Sequence, residues 1–298
     1  MEPFTDDTST ALRHRLLGLK GVVMLLGSSD TGKTTFARKL LAEGVAAGRS
    51  IAFVDADLAR PTVGPPTCVG IKLVSSRTDL DMLHEADGLR FVGSTSPQGV
   101  IVNHVVAVAT AVESARRRAD LVIIDTTSEV TGVVGQTLKY HLVELVQPTA
   151  VVAIHRGGEL DPLEGMLSRF LSVRIEIIDT DPSIPVSSPL DRQAELVKAF
   201  QDEFASPVEK WRVAPTVFAP TLPEGFPVSR LHGMLVGVQD PNARCLGLGA
   251  LDASEDDSLR VVTSVGEEMR GLRLGSMRID LETFKTSRVR LRQLMFGV

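Results

Sequence analysis

The segment Gly27-Ser28-Ser29-Asp30-Thr31-Gly32-Lys33-Thr34, followed by Thr35, constrains the fold more than any other part of the 298-residue chain. It satisfies the spacing G-x-x-x-x-G-K-[S/T], which average residue usage produces by chance in roughly one chain per hundred of this length. Its flanks supply the context that the pattern needs. Val22 to Leu26 is a continuous apolar run that reads as a buried parallel strand. Phe36, Ala37, Leu40 and Leu41 then recur at helical spacing up to Gly48, a natural C-terminal stop. Strand, glycine-rich turn and helix together predict a loop whose backbone N–H groups and helix dipole cradle phosphates. Gly27, Ser28, Ser29, Asp30, Thr31, Gly32, Lys33, Thr34 and Thr35 are therefore the expected nucleotide-binding residues. Lys33 is expected to reach the β- and γ-phosphates and the Thr34 hydroxyl to hold Mg²⁺.

The rest of the first two thirds alternates between strands and helices. Residues 8–19 read as a helix whose Arg13, His14 and Arg15 form a solvated basic face. Ile51 to Asp55 is a second buried strand, ending in Asp55-Ala56-Asp57. Residues 58–88 read as one long connection, opening with Arg60-Pro61-Thr62-Val63-Gly64-Pro65-Pro66-Thr67. Loops of that length are uncommon and usually functional or disordered, and the neighbouring carboxylates favour function. A short strand at Phe91-Val92-Gly93 leads to Ser94-Thr95-Ser96-Pro97-Gln98, and a helix through Val105, Val108 and Val112 ends in Arg116-Arg117-Arg118. Those arginines are the ordinary complement to a helix C-terminus. Leu121 to Asp125 is the next strand, then a helix stopping before Pro148, a strand from Ala150 to Ile154, and another from Val173 to Ile178. A polar loop over 179–189 precedes a helix carrying Arg192, Leu196, Phe200 and Phe204. This order predicts an α/β P-loop NTPase fold, a mostly parallel sheet with helices on both faces, with ligands at the strand C-terminal edge.

From about Val213 helical spacing largely disappears, and the runs at 234–238 and 244–248 flank the turn signal Gln239-Asp240-Pro241-Asn242. Arg288, Arg290 and Arg292 alternate with Val289, Leu291 and Gln293, which predicts a strand with one basic face. Such a face touches a polynucleotide or discourages edge-to-edge aggregation. The expected organisation is an N-terminal segment (1–20), a P-loop domain (21–211) and a β-rich C-terminal domain (212–298).

Composition narrows the partners. The net charge is −5 and the pI about 5.7, so there is no global basic footprint for nucleic acid. Aromatic residues make up only 4%, too few for a sequence-tolerant stacking platform. Any nucleic-acid contact is therefore expected close to the active site. Cys68 and Cys245 are too few for a disulfide framework or a zinc site. The acidic start has no apolar signal region, and no window holds eighteen uninterrupted apolar residues. The expectation is a cytoplasmic protein with no membrane partner; oligomeric state is not legible.

Three carboxylates compete for the metal and base roles. Asp125 follows four apolar residues, as the metal-supporting aspartate of P-loop enzymes does, while Asp55 ends the earlier strand and Asp57 sits two residues past it. With these pieces assembled, the chain resembles the polynucleotide 5′-hydroxyl kinases related to the RNA kinase of the eukaryotic pre-mRNA cleavage factor and the rRNA-processing 5′-kinases. The matching motifs are Gly27 to Thr35, Asp55-Ala56-Asp57, Gly64-Pro65-Pro66-Thr67, Gly93-Ser94-Thr95-Ser96-Pro97 and Asp125-Thr126-Thr127-Ser128. Arg192 matches part of the family's lid, and the β-rich tail matches its C-terminal domain.

The resemblance implies transfer of the ATP γ-phosphate to the 5′-hydroxyl of RNA or DNA. It assigns catalytic roles to Lys33, Asp57 and Arg192, with Asp57 activating the hydroxyl. Thr34, Asp57 and Asp125 become the metal residues, and Thr67, Ser96, Thr127 and Ser128 the substrate-binding ones. Three positions depart from the family pattern: Ala59-Arg60 replaces Gly-Gln, Leu196 replaces the second lid arginine, and Glu129 stands where some members carry a stacking tryptophan. These departures keep a second reading open, a non-kinase ATP-binding or ATPase module whose nucleotide state regulates a protein partner. A third reading is a P-loop enzyme acting on a small molecule.

Overall fold

In the computed structural model, residues 6–253 and 258–296 are described, so the acidic start at 1–5 lies outside them. The order opens with α1 (Asp6–Leu17), β1 (Gly21–Leu26), α2 (Lys33–Ala46), β2 (Ile51–Ala56), β3 (Cys68–Val74) and α3 (Arg77–Asp81). It continues with β4 (Gly88–Phe91), α4 (Ile101–Arg116), β5 (Leu121–Thr126), α5 (Gly132–Val146), β6 (Ala150–His155), α6 (Asp161–Phe170), β7 (Ile175–Asp179) and α7 (Pro189–Glu203). The tail comprises β8 (Glu209–Arg212), β9 (Met234–Gln239), β10 (Cys245–Ala253), β11 (Leu259–Thr263), β12 (Gly271–Ile279), β13 (Thr286–Arg288) and α8 (Leu291–Phe296).

Strands β2, β5, β1, β6 and β7 lie side by side and parallel, in that order. The apolar runs of β2, β5, β1 and β6 are continuous because both faces are covered, whereas the edge strand β7 carries Glu176 and is only partly buried. Within β1, Val22, Met24 and Leu26 join one core with Val105, Val108 and Val112 of α4, Leu138 and Leu142 of α5 and Leu163 of α6. Val23 and Leu25 point the other way, onto Leu12 and Leu16 of α1 and Phe36, Leu40 and Leu41 of α2. The two-residue strand period thus meets the helix period on each side, giving an α/β/α sandwich.

Three sequence-based expectations are corrected here. First, the 58–88 stretch is not one connection. Cys68–Val74 forms β3, antiparallel to β2 with Asp55 opposite Gly70, and β4 pairs antiparallel with β3 in turn. Gly70 and the buried Lys72 interrupt the apolar run and conceal the strand. Second, Arg13 is not solvated: it is buried, donates to Glu43 at 2.7 Å and Ser9 at 2.8 Å, and lies over the Phe36 ring. Third, Arg288, Arg290 and Arg292 do not share a strand face. β13 ends at Arg288, and the chain turns into α8, which buries Leu294 in the tail core. Three alternating residues fit either period, and burial of Leu294 selects the helix.

The tail continues the same hydrogen-bonded sheet. β10 pairs with β4 (Cys245 opposite Leu89), followed outward by β9, β12 and β13. β11 pairs with β10, and β8, which straddles the expected boundary at 211/212, pairs with β11. The Gly93 carbonyl accepts from the Ser276 N–H at 2.7 Å, and Gly93 and Gly275 approach so closely that a Cβ on Gly93 would lie 2.6 Å from Gly275 Cα. Arg116 of α4 donates to the Val146 carbonyl, so it complements the C-terminus of α5 rather than its own helix. Among the described residues, no helix is long and apolar enough to cross a membrane.

Candidate active site

The loop between β1 and α2 wraps as its sequence requires. Gly32 has φ +90°, and a Cβ on Gly27 would lie 2.5 Å from Thr31 Oγ1 and 2.9 Å from the Ile154 carbonyl. Lys33, the first residue of α2, folds back over the loop, its Nζ donating to the carbonyls of Gly27 (2.9 Å) and Ser28 (2.8 Å). Burial pulls its ammonium below the usual lysine range, while the charges of Asp125 and Asp57 pull it back up. Thr31 Oγ1 donates to the Ser28 carbonyl, and Ser28 Oγ donates to Glu159. Ser29 is half-buried and Thr35 exposed at the start of α2.

β2 and β5 run in parallel register with Asp55 opposite Asp125, which brings the carboxylates to one level at the C-terminal edge. Thr34 Oγ1 donates to Asp125 Oδ2 at 2.5 Å, and Asp125 Oδ1 is buried without a hydrogen-bond partner. Burial pushes the Asp125 carboxyl up to about 6, against the pull of Lys33 and Thr34. An unpaired hard oxygen beside a hydroxyl is a donor set suited to Mg²⁺, so the residues present fit that ion.

Asp55 has a different task. Its Oδ1 accepts from the Asp57 N–H, and its Oδ2 from the N–H groups of Thr62 and Val63, so it organises the following loop from a fully buried position. Burial and the neighbouring Asp125 and Asp57 charges raise its carboxyl well above the usual range. Asp57 is more open. Its Oδ1 accepts from the N–H groups of Ala59 (2.9 Å) and Arg60 (3.0 Å), leaving Oδ2 outside these bonds.

Asp30 ties the phosphate loop to the segment before α7. It accepts from the Ser187 N–H at 3.0 Å and from Ser187 Oγ at 3.2 Å. Two arginines flank it: Arg60 Nη1 lies 3.3 Å from Oδ1 and Arg192 Nη1 3.6 Å from Oδ2. Although burial raises the Asp30 carboxyl, the Ser187 backbone bond and Arg60 hold it below the usual range. Leu196 packs against the core that joins β3 and β4 to the tail, so this position anchors α7, while Arg60 approaches from the loop after β2. Arg156 donates to the carbonyls of Asp30 and Ile184, and His155 bonds the Gly157 carbonyl and Glu164. Both serve as local braces.

The four expected substrate residues separate. Thr67 is fully buried with φ +67°, and its carbonyl accepts from Val92 and Gly93, so it shapes the loop and does not reach the surface. Ser96 and Ser128 are half-buried at the edge. Thr127 is buried, and its carbonyl and Oγ1 both accept from Lys139 Nζ, at 2.6 and 2.9 Å.

Lys139 escaped the sequence reading, although it sits on the apolar stripe of α5 beside Leu138 and four residues after Gly135. It is completely buried beneath the site. Burial pushes its ammonium down to about 7, with Lys33 adding to this and Glu129, Asp57 and Asp125 opposing it. His104 of α4 is equally buried, its Nε2 3.1 Å from the Ala56 carbonyl, and burial and then Lys139 push it down to about 3. It is therefore neutral and donates to the residue preceding Asp57.

Similar proteins agree with this architecture. A polyribonucleotide 5′-hydroxyl-kinase of Pyrococcus abyssi is 26% identical over 93% of this chain and 94% of its own length. The enzyme of that name from Methanocaldococcus jannaschii is 24% identical over 87% of each chain. One from Thermococcus kodakarensis is 34% identical over 58% of this chain and 49% of its own. Among solved structures, a chain of the wild-type Clp1p–Pcf11p complex superposes with a TM-score of 0.71 at 14% identity, over 93% of this chain and 80% of that one. At that identity the likeness is one of fold. Residues 27–197, more than half of the sequence and including the phosphate loop, the carboxylate edge and Arg192, match the model of the P-loop family of the mRNA cleavage and polyadenylation factor CLP1. The chain belongs to that family.

Proposed function

We propose that the protein is an ATP-dependent polynucleotide 5′-hydroxyl kinase. The observation that carries this reading is the division of labour along one sheet edge. Thr34 and Asp125 form an oxygen pair suited to a divalent ion, while Asp57 keeps a separate carboxylate oxygen outside its loop hydrogen bonds. Relatives that align along nearly the whole chain carry the name polyribonucleotide 5′-hydroxyl-kinase.

In the reaction, the 5′-oxygen of the acceptor bonds to the γ-phosphorus as the bond to the β–γ bridging oxygen breaks, and ADP leaves. Asp57 Oδ2 takes the hydroxyl proton. Lys33 exchanges its two loop carbonyls for the β- and γ-phosphate oxygens. Thr34 and Asp125 would hold Mg²⁺, whose charge would offset that of the phosphates. Arg192 and Arg60, poised on Asp30, supply positive charge over the transferred group. Ser96 and Ser128 border the acceptor end, with Thr127 fixed beneath it by Lys139.

The test is transfer of labelled γ-phosphate from ATP to short 5′-hydroxyl RNA and DNA oligonucleotides, comparing wild type with Lys33→Ala. The expected result is label on the oligonucleotide, lost in the variant. Leu196 and Glu129 motivate the second reading, a nucleotide-dependent module for a protein partner. ATP turnover that depends on Lys33 without label on any oligonucleotide would establish it instead.

A further inference from the structure

The turn between β13 and α8 gathers the three tail arginines. Arg288, Arg290 and Arg292, all exposed, line one cavity of about 630 Å³ together with Gln98 and Gly99. Among the described residues no carboxylate lines this cavity, and neither Arg290 nor Arg292 forms an ion pair. Arg288 is committed to the loop after β4, donating to Gln98 Oε1 at 2.9 Å and to the Gln98 carbonyl at 2.6 Å. Ser276, which also borders the cavity, bonds the Gly93 carbonyl at the start of that loop.

The loop has a defined place relative to the chemistry. β3 runs antiparallel to both β2 and β4, so β4 points the same way as β2. The loop therefore leaves the sheet at the edge that carries Asp57, two strand spacings away, or about 10 Å. The loop carries Ser96, and two residues on, Gln98 and Gly99 line the arginine cavity. Apolar flanks from Val100, Val289 and Leu291 complete the lining. Unpaired guanidinium forks beside apolar surface suit phosphodiester oxygens and the sugars or bases between them.

We propose that this cavity holds the phosphodiester backbone of the acceptor strand, downstream of the 5′ end that reacts at Asp57. The inference rests on the polynucleotide reading and deepens it. Arg290 and Arg292 grip the strand, and Arg288 fastens the cavity to the substrate loop. Long acceptors gain from this grip, and a dinucleotide, which ends before the cavity, does not.

The experiment uses the full chain and the double variant Arg290→Ala/Arg292→Ala. Fluorescence anisotropy follows binding of a 5′-hydroxyl RNA of about twenty nucleotides across a salt series, and labelled transfer is measured to that RNA and to a 5′-hydroxyl dinucleotide. The expected result is Kd for the long RNA raised about tenfold or more and the slope of log affinity against log salt reduced by about 1.4, or about 0.7 for each phosphate that the variant no longer neutralises. Transfer to the dinucleotide and KM for ATP stay at wild-type values, which also shows that the variant is folded. Unchanged affinity and salt slope, with transfer intact, would overturn the cavity's role and leave the kinase reading standing. Arginine-dependent binding of the long RNA without any transfer would support the cavity while removing the kinase reading. A wild-type protein that binds no polynucleotide would overturn both.

Discussion

Residue-level placement of charge decides how this site works. Lys139 is a buried amine whose two hydrogen-bond acceptors both belong to Thr127, so its removal acts on the acceptor side before the nucleotide side. Lys139→Met is expected to raise KM for the oligonucleotide and lower kcat, with ATP affinity close to wild type; steady-state kinetics with each substrate varied checks this. The same residue sets a pH dependence. Its folded value of about 7 lies below the ordinary lysine value of about 10.4, so between them the unfolded chain binds a proton that the folded chain does not. Stability then rises with pH in that window. Thermal unfolding at pH 7 and pH 9 should therefore show wild type gaining stability relative to Lys139→Met as pH increases. A third prediction concerns the arginines on Asp30. Arg60 and Arg192 sit on its two oxygens, so each alanine variant is expected to slow phosphoryl transfer, with Arg60 standing in for the lid charge absent at Leu196. ATP turnover unchanged in Arg60→Ala but abolished in Arg192→Ala would remove that compensation.

The loop that presents Asp57 depends on the packing of whole elements. Asp55 holds the backbone from 57 to 63, and Val63 in turn lies against β3, where a Cβ on Gly70 would meet the Val63 carbonyl at 2.1 Å. Gly70→Ala must push this loop away. An overpacking cost of about 1–3 kcal/mol is expected, read as a lower Tm together with slower transfer. Differential scanning calorimetry and the labelled-phosphate assay test both parts. This element also marks where the sequence stopped being informative. β1, β2, β5 and β6 were legible because each contains an uninterrupted apolar run, β7 because Ile175, Ile177 and Ile178 are β-branched, and the P-loop because its glycines and Lys33 have fixed spacing. β3 was hidden by Gly70 and Lys72, whose roles arise only from their packing against Val63 and Asp87. Lys139 and His104 were hidden for the opposite reason. A polar residue on an apolar helical stripe has no reading until its buried partners, here Thr127 and Ala56, are known.

At the scale of the whole molecule, the two expected lobes share one sheet. The β4–β10 pairing and the Gly93–Ser276 bonds fasten the tail to the loop that carries Ser96, so the β-rich region buttresses the acceptor side of the site. The catalytic edge is thus built from both ends of the chain: the phosphate loop and carboxylates from the parallel strands, and the loop support from the tail. In the proposed mechanism, metal support and proton acceptance belong to different carboxylates, Asp125 and Asp57. The most direct measurement is phosphoryl transfer to a 5′-hydroxyl RNA by Asp57→Asn, with ATP affinity measured in parallel. Transfer is expected to slow by about 10²–10⁴-fold, the range for loss of a general base, with ATP affinity retained. Transfer at the wild-type rate in Asp57→Asn would contradict that mechanism.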